Sequence, residues 1–417
     1  MQLKTILNRV ARHSSFVYEQ PSWDESGERL TIEVPIRARA NSRPVCSRCG
    51  KRRPGYDRLK PRRFEFVPLW QIAVVFVYAL RRVNCPTCGI VVERVPWSQG
   101  KGRLTTTYQW FLAGWAKRLS WTEVASAFGT SWEHVRDSVR QAVAWGLVHR
   151  DLSGASAIGI DEIQWRVGHQ YLTLVYQIDE GAKRLLWIGR ERTEATLRQG
   201  LEQLGPAFCG GLKFICSDMW QPYLKVVAEQ AGAAVHVLDR FHIMKKLGEA
   251  IDQVRASEAK RMRDDGYEPI LKHSRWCLLK RPDNLTGGQA TKLAELLQYN
   301  LASVKAYLYR EDFQRFWEYQ TAGWAGRFLD QWCTNVMRSR LEPMKKVAAS
   351  LRRHRALLLN WFRAQGTMSS GVVEGLNNKA KLAMRKSYGF REFATIEAAL
   401  YHQLGNLPEP EFTHRFC

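Results

Sequence analysis

The chain has 417 residues with 63 Lys and Arg against 40 Asp and Glu, a net charge of +23 and a pI of about 9.8. That length accommodates two or more domains, and so large a positive excess points to a polyanionic partner, nucleic acid first. The longest apolar run, Ile72 to Leu80, has nine residues, under half of the ~20 a membrane span needs. The basic stretch from Arg43 to Arg82 carries paired cysteines in place of an amphipathic helix, which argues against a membrane surface as the polyanion. MQLKTILNRVARHSS meets charge before any apolar core, so no signal peptide is expected and the expected location is a reducing cytosol or nucleoid. There the nine cysteines are thiols and metal ligands, not disulfides.

Residues 1–98 read as a zinc-binding module. Cys46-Ser47-Arg48-Cys49 and Cys85-Pro86-Thr87-Cys88 are two CxxC knuckles, each followed by a glycine, Gly50 or Gly89. Two residues between thiolates let a tight turn aim both sulfurs at one ion, and four such ligands suit one structural Zn²⁺ per chain. PRRFEFVPLW and VVFVYALRRV alternate as strands that would return the second knuckle to the first. Cys209, Cys216, Cys277, Cys333 and Cys417 lack this spacing and read as core or incidental thiols. The cluster Arg48, Lys51, Arg52, Arg53, Arg58, Lys60, Arg62 and Arg63 is expected to touch DNA phosphates, with a merely solvated face as the alternative.

Residues 99–150 read as a helix-turn-helix-like DNA-binding domain. Helices are predicted over 106–119, 121–128 and 132–147, with Ser120 and Glu123 placed as a capping box and Gly129-Thr130-Ser131 as the break. Ala125, Gly129 and Val135 fall where such a motif needs a small contact, a turn and a core residue. Ser131, Trp132, Arg136 and Arg140 are then candidate DNA contacts, along with His134, which reads more readily as a surface or packing residue than as a metal ligand.

From 151 to 244 the pattern changes to strands. Residues 156–160 form a short apolar strand ending in Asp161, followed by strands over 171–178 and 184–188 joined by DEGAK. A helix over 193–204, a strand over 212–216, a helix over 223–230 and a strand over 234–238 follow, the last ending in Asp239. Three antiparallel strands followed by parallel units describe an RNase H-like sheet, in which the first and fourth strands are neighbours. Asp161 and Asp218 would therefore meet over a metal pair. Asp239, followed by Arg240, Phe241 and His242, competes for the second position or serves as an auxiliary ligand with His242.

Residues 245–362 carry only helical periodicity and read as an all-helical insertion within the α/β core, which resumes over 363–417. Trp276, Trp317, Trp324 and Trp332 lie in it; stacking on DNA is open to them, but filling a core is the ordinary role. After Ser369 and Ser370, Glu374, Asn378, Lys381 and Arg385 recur at helical steps and share a face. Glu374 is the third metal-binding acid candidate, with a surface salt-bridged helix as the alternative. Asn378, Lys381 and Arg385 would face DNA.

The paired CxxC module, IDE at Asp161, SDMWQPY at Asp218, LDRFHIMK at Asp239 and VEGLNNKAKLAMRKSYGFR at Glu374 together resemble the ISL3 family of bacterial insertion-sequence transposases, in the DDE superfamily. The resemblance implies that Asp161, Asp218 and Glu374 are the catalytic triad, holding two Mg²⁺ ions with Mn²⁺ as a substitute. It also implies that the chain binds terminal inverted repeats, cleaves and transfers DNA strands, and acts as a dimer or larger assembly on DNA. A non-cleaving zinc-containing DNA-binding protein and an RNase H-like nuclease without strand transfer are the alternatives.

Overall fold

A computed structural model describes residues 2–27, 29–267, 270–364, 371–386 and 390–411. Ser369, Ser370, residues 387–389 and Cys417 lie outside them. The chain forms two compact units, one of 1–150 with 382–417 and one of 151–381. The segment 363–417, expected to belong wholly to the catalytic core, divides at this boundary, and the insertion shares one unit with the sheet it interrupts.

The first unit begins with α1 (Leu3–Val10) and a six-stranded sheet of β1 (Phe16–Tyr18), β2 (Ser22–Asp24), β3 (Thr31–Ala38), β4 (Gly55–Leu69), β5 (Ile72–Cys85) and β6 (Gly89–Val92). β5 is central, antiparallel to β4 and β6 and parallel to β3. Alternation sets its buried face: Phe64 and Phe66 on β4 meet Val74, Phe76, Tyr78 and Leu80 on β5, with Trp97 joining the cluster. Just after β6, where its backbone N–H still bonds the Arg81 carbonyl of β5, Glu93 is buried with both oxygens satisfied, accepting from the Tyr78 hydroxyl at 2.7 Å and from Arg81 Nη2 at 2.8 Å.

Three helices follow, α2 (Thr106–Ala116), α3 (Trp121–Phe128) and α4 (Trp132–His149). The Ser120 and Glu123 capping box forms, and Gly129 ends α3 in the left-handed region at φ 57°. Arg29 donates to the Gly129 carbonyl at 2.6 Å, so close that a Cβ at this glycine would collide with its guanidinium.

The second unit holds β7 (Ala157–Arg166), β8 (Gln170–Asp179), β9 (Ala182–Arg190), α5 (Glu194–Leu204), α6 (Pro206–Gly211), β10 (Phe214–Ser217), α7 (Gln221–Gln230) and β11 (Val235–Leu238). Strand order is β11-β10-β7-β8-β9, with β7 to β9 antiparallel and β10 parallel to both β7 and β11. The first and fourth strands, β7 and β10, are neighbours, as expected. One face is covered by α5 and α7 through Leu197, Leu201, Tyr223 and Val226.

Helices α8 (Arg240–Asp264), α9 (Arg275–Leu279), α10 (Gly287–Leu296), α11 (Ala302–Gln314), α12 (Ala322–Met337), α13 (Glu342–Arg353) and α14 (Arg355–Arg363) make the insertion, and no strand interrupts them among the described residues. Trp317 and Trp332 fill its core, at 8% and 1% exposure, whereas Trp276 and Trp324 stand out of it at 53% and 61%. α14 returns to the sheet, where Asn360 donates to the His236 carbonyl at 2.8 Å. Last come α15 (Gly371–Lys386) and α16 (Phe393–Leu404). α16 packs on α4 of the first unit, burying Ile396, Ala399 and Leu400.

Candidate functional site

Strand register brings three aspartates level. Cys216 pairs with Gly159 across β10 and β7, and Ser217 pairs with Leu238 across β10 and β11. Counting on along the three parallel strands puts Asp161, Asp218 and Asp239 side by side at one edge of the sheet. Asp161 was expected to end its strand but lies inside it, because β8 continues to pair with β7 beyond the point where β10 stops.

His242, in the first turn of α8, joins the three acids. Its Nε2 lies 3.4 Å from Asp161 and 3.9 Å from Asp239, and its Nδ1 lies 3.9 Å from Asp218. Burial alone would depress this imidazole, but the Asp161 contact and the three carboxylate charges outweigh it and hold the pKa at about 9. Asp239 Oδ1 accepts the Phe241 backbone N–H at 2.7 Å, the N-cap of α8. Asp218 accepts the Met219 N–H at 2.5 Å, but the following helix α7 takes its N-cap from Trp220. Asp218 is further paired with Arg192 and Lys246, each at 3.5 Å.

Gly159 lets α15 approach the sheet. A Cβ there would come within 2.4 Å of Val373 Cγ2, so only glycine admits the helix at this distance. Two residues along β7 and four along α15 are each a rise of about 6 Å, so Asn377 stands over Asp161 as Val373 stands over Gly159. Asn377 Nδ2 donates to Asp161 Oδ2 at 2.6 Å, and the Tyr176 hydroxyl donates to Asn377 Oδ1 at 2.9 Å. Glu374, exposed, lies one helical turn before Asn377. Asn378, Lys381 and Arg385 are also exposed on this helix.

Sequence reading missed Asn377, Tyr176, Arg192, Lys246 and Glu162. Lys246 could have been found, since it follows His242 by four residues on one helix face. Glu162, beside Asp161, is driven up to about 7 by burial, with Arg192 opposing.

The four cysteines also meet. Cys46, Cys49, Cys85 and Cys88 place their sulfurs within 4.8 Å of one another, and Cys49 and Cys85 are 3.7 Å apart. The β4–β5 hairpin carries the second knuckle back, and Gly50 and Gly89 adopt left-handed φ of 73° and 75°. Cys209, Cys216, Cys277 and Cys333 are buried free thiols.

The basic residues divide. Arg48, Lys51 and Arg52 are exposed, and Arg53 is partly covered. Arg62 instead donates to the Gly100 and Gly102 carbonyls at 3.2 and 2.6 Å, and Arg63 pairs with Glu33 and Asp24. On α4, Ser131 is the N-cap, accepting from His134 N at 3.2 Å; the His134 ring sits 2.9 Å from the Thr130 hydroxyl. Arg136 lies over the Trp132 ring and pairs with Asp137, while Arg140 donates to the Thr395 hydroxyl at 3.1 Å.

Residues 158–400 match the ISL3-type DDE family model described as transposase. The chain belongs to the ISL3 family of DDE transposases. The transposase is 30% identical over 404 residues, 95% of this chain and 98% of the relative, to the transposase for insertion sequence element IS1001 of Bordetella parapertussis. It is 29% identical over 413 residues, 92% of this chain and 91% of the relative, to the transposase for insertion sequence element IS1557 of Mycobacterium tuberculosis. A solved Drosophila P element transposase strand transfer complex aligns with 73% of this chain and 92% of its own at 11% identity and a TM-score of 0.39. The transposase is thus an enzyme acting on DNA as its family does, and divalent metals belong to that chemistry. No helix among the described residues is long and apolar enough to cross a membrane.

Proposed function

We propose that this transposase binds the terminal inverted repeats of its own element, cuts at their ends and joins the freed 3′-hydroxyls to target DNA, with Asp161, Asp218 and Glu374 as the catalytic acids. The observation that carries the reading is the convergence of Asp161 and Asp218 on adjacent parallel strands, with α15 anchored on Asp161 through Asn377. Glu374 precedes that anchor by one turn, on the helix face bordering the buried one. The donor set is all oxygen, which suits a pair of Mg²⁺ ions, with Mn²⁺ as a substitute. When bound, they neutralise the phosphoryl oxygens and lower the pKa of an attacking water or hydroxyl.

The chain's own groups do the rest. Asn377 and the Glu162 backbone N–H fix the orientation of the Asp161 carboxylate. Met219 N–H fixes that of Asp218, and Asp239 starts α8 so that His242 and Lys246 face the acids. His242, Arg192 and Lys246 supply positive charge that offsets the repulsion among the carboxylates. Asp239 and His242 are auxiliary.

The Cys46, Cys49, Cys85 and Cys88 set suits one structural Zn²⁺ and is a poor host for magnesium, so it shapes the first unit and leaves catalysis to the second. Arg48, Lys51, Arg52 and Arg53 would track phosphates, while Trp132 and Arg136 at the start of α4 would reach base edges and backbone. Pairing two element ends requires at least a dimer on DNA, in the bacterial cytoplasm where the nucleoid lies. The test is cleavage of a labelled duplex spanning one element end. Wild type should nick it only with Mg²⁺ or Mn²⁺, and Asp161→Asn should bind it without nicking; metal-independent nicking would refute the reading.

A further inference from the structure

The β4–β5 hairpin closes in Trp70-Gln71, a two-residue turn between the paired Leu69 and Ile72. Both turn residues have positive φ, 48° and 68°. Such a turn is ordinarily Asn-Gly or Asp-Gly, because a larger side chain in the left-handed region crowds its own backbone. A bulky tryptophan is a strained choice, and packing does not explain it. Its ring is 92% exposed, the most exposed tryptophan among the described residues. Val67 and Leu69 beneath it pack on the core of the sheet, so the ring stands on a fixed base.

Arg29 fixes where this tip lies. Its Nη1 donates to the Gly129 carbonyl at 2.6 Å and its Nη2 to the Gln71 carbonyl at 2.7 Å. One guanidinium therefore ties the hairpin turn to the turn between α3 and α4, both inside the first unit. Ser131, Trp132 and Arg136 follow that second turn directly, at the start of the helix assigned to base edges. Residues 66–80 carry no charged side chain, so no carboxylate of the hairpin end would repel a phosphate. Leu69 and Ile72 are half-buried, which leaves one projecting ring and no broad apolar patch for a protein or a membrane. Backbone strain held at an exposed position that packing does not use points to a partner.

A planar apolar side chain at the end of a narrow hairpin, beside a helix that enters the major groove, fits the flanking minor groove, where apolar wedges part base steps. We propose that the Trp70 hairpin is a second DNA-reading element, which inserts its indole into the minor groove of the element end next to the major-groove site of α4. Arg29 is the positioning residue that sets the spacing between the two. The proposal rests on the reading of the first unit as the part that binds the terminal repeat. Opening a base step is easiest at flexible pyrimidine–purine steps, so the hairpin would add sequence preference without a hydrogen bond to a base.

The experiment is hydroxyl-radical footprinting of the full-length protein on a duplex carrying the element end, without added divalent ion, alongside gel-shift binding to that duplex and to random DNA. Wild type should protect a minor-groove tract about half a helical turn, roughly 5 base pairs, from the major-groove purines that α4 shields from methylation. Trp70→Ala removes an exposed ring; it should erase that tract, keep the α4 protection, and weaken end binding about tenfold but random binding less than about threefold. Trp70→Asn with Gln71→Gly installs the pair this turn favours, so it should raise the unfolding temperature of the first unit and still lose the tract. Arg29→Ala should broaden the tract, since the ring is present but its distance from α4 is no longer fixed. A tract absent from wild type, one that survives Trp70→Ala, or a double variant that is less stable would overturn the hairpin assignment. A tract as sharp in Arg29→Ala as in wild type would remove the positioning role. Failure of wild type to prefer the element end over random duplex would instead overturn the reading beneath it.

Discussion

Asn377 donates a 2.6 Å hydrogen bond to Asp161, 216 residues away in sequence, and takes one from the Tyr176 hydroxyl on its other side. Both residues are buried, so the bond fixes a carboxylate that would otherwise choose among rotamers in a cluster of like charges. Hydrogen bonds to charged groups contribute about 1.5–3 kcal/mol. Asn377→Ala should therefore slow single-turnover cleavage by about 10- to 100-fold with DNA binding intact, and raise the Mg²⁺ concentration required. Tyr176→Phe, one link further out, should cost about fivefold. An Asn377→Ala enzyme cutting at the wild-type rate and metal requirement would remove the orienting role.

The proposed catalytic acids Asp161, Asp218 and Glu374 are separable from Asp239 by substitution at constant volume. Asp161→Asn, Asp218→Asn and Glu374→Gln should each abolish cleavage and leave end binding nearly unchanged. Asp239→Asn keeps a side-chain oxygen to cap α8, so it should fold normally and retain part of the activity. If Asp239→Asn were dead and Asp218→Asn active, the second acid would have to be reassigned.

One zinc per chain is expected in protein purified without chelator. Cys85→Ser should lose it, lower the unfolding temperature of the first unit and weaken end recognition, while the second unit keeps its fold, because structural zinc contributes directly to local folding energy. Elemental analysis gives the stoichiometry, and a metal-free protein with full stability would refute the site.

The Glu93 carboxylate holds Arg81 and Tyr78 of β5, and its backbone bridges to Cys46 of the first knuckle. Glu93→Gln leaves the buried Arg81 guanidinium without its counter-charge. Urea unfolding of the variant should show a loss of about 3–5 kcal/mol, and replacing both residues by apolar ones of similar volume should restore most of it.

The basic residues should fall into two classes in a salt series on terminal-repeat and random duplexes. Arg52→Ala and Arg53→Ala should weaken both duplexes alike, flattening the salt dependence by ~0.9 in slope for each phosphate that is no longer neutralised. Arg136→Ala should penalise the terminal repeat more. Arg62→Ala should act through stability, since its guanidinium is spent on the Gly100 and Gly102 carbonyls. An equal weakening on both duplexes for Arg136→Ala would make α4 a packing helix.

Much of this molecule was legible in local sequence, because local rules govern it. Two CxxC knuckles with trailing glycines, the Ser120 capping box, the break at Gly129 and the strands flanking Asp161 each depend on a few neighbouring residues, and the structure repeats them within a few positions. Three things did not follow from the sequence. That Asp239 comes level with Asp218 depends on the register of two parallel strands, which no local signal records. That Asn377, and not its neighbour Asn378, reaches Asp161 depends on which side of α15 Gly159 admits. That the last helix packs on α4 in the first unit, and not with the segment 363–381 that precedes it, depends on which apolar faces meet. Periodicity shows that a face is apolar, and only tertiary packing selects what covers it.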